Sequence, residues 1–450
     1  MTSNNWLHHS AVSFPDGVFL ETSDDSWTFA DMDTLAAQQA AALARSGVGP
    51  GQVVGLWADN SCDTVISMFA IPRAGAVIQL LNTRSSLVDL HSQLAEAGAV
   101  GVMGTQEDLG VPVIVPEPTK HEQRDVGDPN QIAVIAYTSG TSGHPKGVML
   151  TNGNLHAAVE ASSQHLRHQR SDSWLLVLPL FHVGGASILW RSAAAGSKVV
   201  LHECFDATAM ARDLHHVTLT SLVGTMLTPI LETDAGPYVG LRAVLVGGEA
   251  TPLEQMEAAY QAGIPVLATY GMTETASQVA TAPLGSRPRR KAQALPGVEM
   301  KIEGGELFVK GSMVARQYVG VNELGSEWLA SGDIGEIDED GMLTVSGRIR
   351  DIIISGGENI SPRNVEEAIL RLEGVEDAAA VGVTDAQWGE AVAAAVVSGR
   401  DAEELISAAR EIMAGFQVPK RWLCVDEIPR NQMGKIDRSA VRALFGGSRG

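Results

Sequence analysis

Short apolar runs alternate along this chain with longer segments whose apolar positions recur at helical spacing. An Ala/Leu stripe from about Phe29 to Ser46 predicts a helix, and GVGPGQ turns it into the apolar strand VVGLWA. A helix around Cys62–Ala74 and the strand AVIQLL follow. The polar, proline-containing stretch Pro116–Asp128 reads as a linking loop. Next come four apolar runs that each end in a small or polar loop. QIAVIAYT leads into SGTSGHPKG, WLLVLPL into FHVGG, LRAVLV into GGEA, and VLATY into GMTE. Helical stretches such as Ala207–His215 and Pro252–Ala262 intervene. Apolar strands alternating with helices predict a largely parallel sheet covered on both faces. Ligands of such sheets gather beyond the carboxyl ends of the strands, so the four loops are expected to converge on one crevice.

After about Gly304 the pattern changes. GELFVKG, EWLASGDIGEID and GMLTVSGR read as strands joined by turns, with Asp340–Gly341 a hairpin signal. From Asp351 a smaller α+β unit is expected: DIIIS, a helix over Arg363–Leu372, strands AAAVGV and AVAAAVV, a helix over Glu403–Met413, and RWLCVDE. The expected fold class is α/β, a large N-terminal domain (1–349) with covered, mostly parallel sheets and a small C-terminal α+β domain (350–450).

Composition narrows the function. A chain of 450 residues, 45% hydrophobic, is too long for one ordinary core and fits two domains. Its net charge of −21 repels nucleic acid. The one notable basic patch, Arg287, Arg289, Arg290 and Lys291, reads as a solvated loop, with contact to the phosphates of an anionic cofactor as the alternative. No apolar run reaches membrane-spanning length, and the start MTSNNWLHHS is neither a basic nor an apolar leader. A soluble, unprocessed cytoplasmic protein is the expectation. Cys62, Cys204 and Cys424 have no metal-ligand or redox spacing and are expected as buried thiols. The histidines form no metal motif.

The segment Thr138–Gly147, TSGTSGHPKG, carries the clearest chemistry. Its glycines let backbone approach a phosphate, the hydroxyls donate hydrogen bonds, and Lys146 adds positive charge. It is not the usual P-loop, because glycine and not Ser/Thr follows the lysine. A plain surface turn would not explain so many small hydroxyl residues after a buried strand.

YTSGTSGHPKGV resembles the phosphate loop of the adenylate-forming superfamily of acyl-coenzyme A synthetases, peptide-synthetase adenylation domains and luciferases. YGMTE (270–274), SGDIG (331–335), GRIRDIIISGGENISP (347–362) and PRNQMGKI (429–436) match further motifs in the expected order, and the resemblance runs from about Trp27 to Arg442. It implies ATP, Mg²⁺ and coenzyme A as ligands. Thr138, Ser139, Gly140, Thr141, Ser142, Gly143 and Lys146 would hold the β- and γ-phosphates. Glu274 would hold Mg²⁺, and Thr273 the α-phosphate. Gly247, Gly248, Glu249 and Tyr270 would wall the adenine slot; Asp333 would grip the ribose, and Arg348 ribose or phosphate. Singly, Asp333 reads equally as a turn residue and Tyr270 as core. Lys435 matches the adenylation lysine. Arg350 takes the hinge position, about which the small domain would swing to present either Lys435 or the Gly356–Gly357 region, which would line the thiol tunnel.

His182 matches an aromatic position beside the acyl group and is read as a positioning residue, not a base. Helical spacing places Gly184, Ser187, Ile188, Arg191 and Ala195 on one face. From spacing alone, Arg191 is equally a partner for a second substrate carboxylate or an ordinary surface or sheet-edge arginine. LPLFHVGGASILWRSAAAG and YGMTETASQV most resemble the o-succinylbenzoate:coenzyme A ligases of menaquinone synthesis, whose substrate is an aromatic dicarboxylate; Arg191 and Ser277 would suit its polar ends. Malonate, short-chain acids and benzoates are the other acids left open. Where relatives carry a glycine-rich stretch, this chain has Arg289–Ala294, and Ala292 is expected to narrow the pocket wall. A carrier-protein thiol is the alternative acceptor, and a silent nucleotide-binding sensor or scaffold the alternative class. The partners are thus small molecules, with a homo-oligomer left open.

Overall fold

Trp174 and Leu176 point into one hydrophobic core, and their neighbours Leu175 and Val177 into another. The same alternation separates Ala243 and Leu245 from Val244 and Val246. Both faces of these strands are covered, which is why they read as continuous apolar runs. The computed structural model describes residues 5–115, 128–138, 145–249, 251–321, 326–430 and 435–446. Residues 116–127 of the expected linking loop and Ser139–Gly143 of the hydroxyl-rich loop lie outside these. The chain forms two units, one of residues 1–300 with 309–329 and one of residues 301–308 with 330–450.

In the first unit, strands Val18–Glu21, Lys198–Leu201, Ser173–Leu176, Leu219–Leu222, Ala243–Val246 and Val266–Met272 pair in parallel in that order. Antiparallel strands Ser277–Thr281 and Ala292–Ala294 extend this sheet beyond Val266–Met272. A second sheet has the order Gln317–Tyr318, Lys146–Thr151, Ile132–Thr138, Val77–Leu81, Val53–Trp57, Ala99–Met103. Helix Asn152–Leu166 touches strands of both sheets. It starts with a capping box in which Thr151 and Asn154 exchange side-chain and backbone hydrogen bonds. Helix Val183–Ala195 is buried on nearly every side, so it lies within the core.

The smaller unit is α+β, as expected. Its centre is the antiparallel pair Val375–Asp385 and Gly389–Ser398, flanked by helices Pro362–Leu370, Ala402–Ile412 and Arg438–Leu444. Asp340–Gly341 does turn strand Leu329–Ile337 into Met342–Arg348, with Gly341 at φ 75°. Among the described residues, no helix is long and apolar enough to cross a membrane.

The cysteines depart from expectation. Cys204 and Cys424 are exposed and only Cys62 is half-buried. Cys204 lies in the turn after Lys198–Leu201, and Cys424 ends strand Arg421–Cys424. Burial, then the charges of Asp63 and Asp25, push the Cys62 thiol up to about 11.

One ion pair ties the starts of three parallel strands together. Arg242 donates from Nε and Nη2 to buried Asp172 at 2.7 and 2.5 Å, and from Nη1 to the Leu166 carbonyl at 2.7 Å. Asp172 also accepts from the Thr218 hydroxyl at 2.8 Å and the Gln169 amide at 2.9 Å. Burial raises this carboxyl's affinity for a proton, but the Arg242, Gln169 and Thr218 hydrogen bonds outweigh it and hold the pKa below the usual range. Arg242→Met is expected to lower the free energy of unfolding by about 3 kcal/mol at neutral pH, read from urea denaturation. Because the folded pKa is depressed, the contribution is complete above the unfolded value and fades as pH falls through the folded one. The gap between wild type and variant should therefore close below about pH 4; a gap of unchanged size there would exclude the ion pair as its source.

Candidate active site

The hydroxyl-rich loop joins two antiparallel strands, Ile132–Thr138 and Lys146–Thr151, and Thr138 lies directly opposite Lys146. These residues are therefore the two posts of a hairpin. Lys146 is exposed, with its ammonium 5.8 Å from the centre of the Tyr318 ring.

A turn at the end of Val266–Met272 comes to the same place. Residues Thr273–Thr275 form a 3₁₀ turn that packs against both hairpin strands. The Thr275 hydroxyl, 3.0 Å from the carbonyls of Met272 and Ser277, fixes it. Ala276 and Ser277 take positive φ values of 51° and 109°. A Cβ on Gly271 would lie 1.7 Å from the Ser277 carbonyl oxygen, so only glycine permits this reversal. Glu274, half-buried, accepts a hydrogen bond from the Tyr318 hydroxyl at 3.3 Å, and its carbonyl accepts from the Ala315 amide at 2.7 Å. Thr138, Lys146, Thr273 and Glu274 are thus brought together from separate sheets.

Tyr318 was not legible beforehand. Its strand, Gln317–Tyr318, has two residues and shows no periodicity. Burial and the Glu274 charge push its hydroxyl well above the ordinary value, which keeps it a donor.

The remaining expected loops follow strand ends. Gly247, Gly248 and Glu249 leave Ala243–Val246 beside Val266–Met272, which carries Tyr270. A Cβ on Gly247 would meet the Thr269 carbonyl at 2.7 Å, so glycine allows the close approach. His182 is the residue before helix Val183–Ala195, and its ring centre is 4.5 Å from that of Phe181. Asn60 holds the preceding loop, donating to the Leu178 and His202 carbonyls and accepting from the Leu180 amide at 3.0 Å. Sequence patterning gave no sign of Asn60. Gly184 is half-buried on the first turn of the helix.

Arg191 is not a surface arginine. It is 1% exposed, with its guanidinium carbon 5.7 Å from the centre of the Trp174 ring. Its Nε and Nη2 have no hydrogen-bond partner among the described residues. Burial pulls the guanidinium down to about 9, so it remains a cation at neutral pH. Of the two readings that spacing left open, the surface one is excluded, because the helix is apolar or small around its circumference and one polar residue does not mark an outer face.

In the smaller unit, Asp333 is buried and paired with Arg348, Nε to Oδ1 at 2.8 Å, in register across their hairpin. Arg348 also donates to the Ser331 carbonyl at 3.2 Å. Arg350 is exposed in the 3₁₀ turn Ile349–Asp351. Gly356 and Gly357, at φ 61° and 89°, turn strand Ile353–Ser355 into Glu358–Ile360, and the Gly356 amide donates to the Trp388 carbonyl at 2.9 Å. Lys435 is half-buried beside the bridge between Arg430 and Ile436. The helix after it is anchored by Arg438, which donates to Glu366 at 2.5 Å and to the Ala380 carbonyl at 2.7 Å.

The atypical Arg289–Ala294 stretch ends in strand Ala292–Ala294, with Ala292 buried. Among the described residues no three His, Cys, Asp or Glu side chains converge into a metal cage. Mg²⁺ characteristically takes one or two carboxylates and completes its shell with phosphate and water. Glu274 beside the hairpin posts fits that requirement.

Residues 7–319 match the AMP-binding enzyme family, and residues 364–435 match the AMP-binding enzyme C-terminal domain. The 2-succinylbenzoate–CoA ligase of Bacillus pumilus is 35% identical over 478 aligned positions, covering 98% of each chain. The o-succinylbenzoate CoA synthetase of Bacillus subtilis, solved with its acyl-adenylate intermediate, superposes with a TM-score of 0.89 at 31% identity, covering 99% of this chain and 98% of that one. ATP-bound MatB from Rhodopseudomonas palustris gives 0.90 at 25% identity, covering 98% and 99%. The chain belongs to the AMP-binding enzyme family.

Proposed function

We propose that this chain is an ATP-dependent carboxylate:coenzyme A ligase acting in two steps. In the first, a carboxylate oxygen attacks the α-phosphorus of ATP, the bond to the bridging oxygen of the β-phosphate breaks, and pyrophosphate leaves. In the second, the coenzyme A thiolate attacks the acyl carbonyl carbon and AMP leaves. The observation that carries the reading is the meeting of Thr138, Lys146 and Glu274 at the hairpin and the 3₁₀ turn.

Attack of one anion on another needs positive charge in the transition state. Lys146 and the hairpin hydroxyls would hold the β- and γ-phosphates, Thr273 would donate to the α-phosphate, and Glu274 would hold Mg²⁺. Bound Mg²⁺ supplies charge neutralisation on the triphosphate. Lys435 would bridge the attacking carboxylate and the α-phosphate, with the C-terminal domain (350–450) swinging about Arg350 and bringing Gly356 and Gly357 to the thiol in the second step. The pair of buried Asp333 and the more open Arg348 offers a carboxylate for the ribose hydroxyls and a guanidinium for ribose or phosphate. Gly247, Gly248, Glu249 and Tyr270 would border adenine.

The substrate reading is o-succinylbenzoate, supported by the named activity of the relatives and by Arg191. An arginine stays protonated, and burying it without a counter-charge costs several kcal/mol. The second carboxylate of a dicarboxylate, reached directly or through water, would offset that cost. His182, Gly184 and Ser277 would border the acyl group.

Lys435→Ala should slow adenylation, followed as pyrophosphate release, by about 10² to 10³ while leaving thioester formation from supplied acyl-adenylate near wild type. Equal loss of both half-reactions would remove its assigned role. Arg191→Met should raise KM for o-succinylbenzoate by about tenfold or more with KM for ATP unchanged. Unchanged discrimination between o-succinylbenzoate and benzoate would detach Arg191 from the substrate.

A further inference from the structure

Segment 312–319 crosses between the two elements that meet at the phosphate hairpin and is fastened to both. Asn154, itself part of the capping box, donates from Nδ2 to the carbonyls of Ser312 at 2.8 Å and Val314 at 3.0 Å. One residue on, the Ala315 amide donates to the Glu274 carbonyl. Gln317 and Tyr318 then pair with Met149 and Val148, and the Val319 amide donates to the Gly147 carbonyl at 2.8 Å. A Cβ on Gly147 would lie 2.7 Å from the Val319 side chain, so the strap is pressed against the strand that begins at Lys146. The side chain that this strap delivers to the junction is Tyr318. Its hydroxyl meets Glu274 Oε1 at 3.3 Å and its ring faces Lys146.

We propose that Tyr318 is a positioning residue for the metal-holding carboxylate and the phosphate-holding lysine. This rests on the reading of Glu274 and Lys146 given above. The hydroxyl acts through Glu274, restraining its carboxylate toward the hairpin. At 3.3 Å the contact is longer than the usual 2.7–2.8 Å for O–H···O, so it orients the oxygen without competing strongly with a cation. The ring acts through Lys146, giving the ammonium an electron-rich face.

The test is equilibrium binding of ATP with increasing Mg²⁺, measured on the full chain without acid substrate. Glu274→Gln is the reference and should abolish the enhancement of ATP binding by Mg²⁺. Tyr318→Phe keeps the ring and should raise the half-saturating Mg²⁺ concentration roughly three- to tenfold, while thioester formation from supplied acyl-adenylate stays at wild-type rate. Tyr318→Leu removes the ring as well and should weaken ATP binding a further two- to fivefold or so, even without Mg²⁺. If Glu274→Gln responds and Tyr318→Phe does not, the positioning role is overturned while the assignment of Glu274 stands. If Glu274→Gln keeps the Mg²⁺ enhancement, the assignment falls and the role of Tyr318 falls with it. A Tyr318→Phe protein that loses both half-reactions equally, with a lowered melting temperature, would mark the tyrosine as a packing residue only.

Discussion

The backbone reversal at Gly271 is the constraint on which the first unit's chemistry depends. No side chain fits there, because a Cβ would overlap the Ser277 carbonyl. Only with glycine does the chain leave a buried parallel strand, make one 3₁₀ turn and return antiparallel within a few residues. The return sets Glu274 against the hairpin of the other sheet. Two elements distant in sequence thereby share one location without a long loop, so little conformational freedom must be lost when ligands bind.

Elements with strong periodicity were legible in the sequence. The helices near Phe29–Arg45 and Cys62–Arg73, the apolar strands and the Asp340–Gly341 hairpin all appear where patterning puts them. A large unit with mostly parallel sheets and a smaller α+β unit are present too, but the smaller one holds residues 301–308 and 330–349 as well as the expected 350–450. Candidate site residues on motif loops were suggested by resemblance, whereas Tyr318 and Asn60 were not. A strand of two residues has no period, and a single asparagine that bridges three backbone groups leaves no pattern. Register is likewise invisible locally: nothing near Asp333 announces that Arg348 will stand opposite it.

Helical spacing alone left Arg191 undecided between a carboxylate partner and a surface arginine, and its burial excludes the surface. A helix inside a core has no polar side, so the arc holding Gly184, Ser187 and Arg191 was defined by small residues as much as by charge. The same geometry is costly if no anion arrives, since two guanidinium nitrogens lack partners among the described residues.

The distribution of thiols has a use beyond packing. Cys204 and Cys424 are both exposed, and they belong to different units. Cys62 is half-buried with its thiol pushed up to about 11, so little of it is thiolate at neutral pH. Maleimide dyes should therefore discriminate in favour of the two exposed positions. The native chain carries its own pair of attachment points for an energy-transfer ruler, able to follow separation between the units through a turnover without an engineered cysteine.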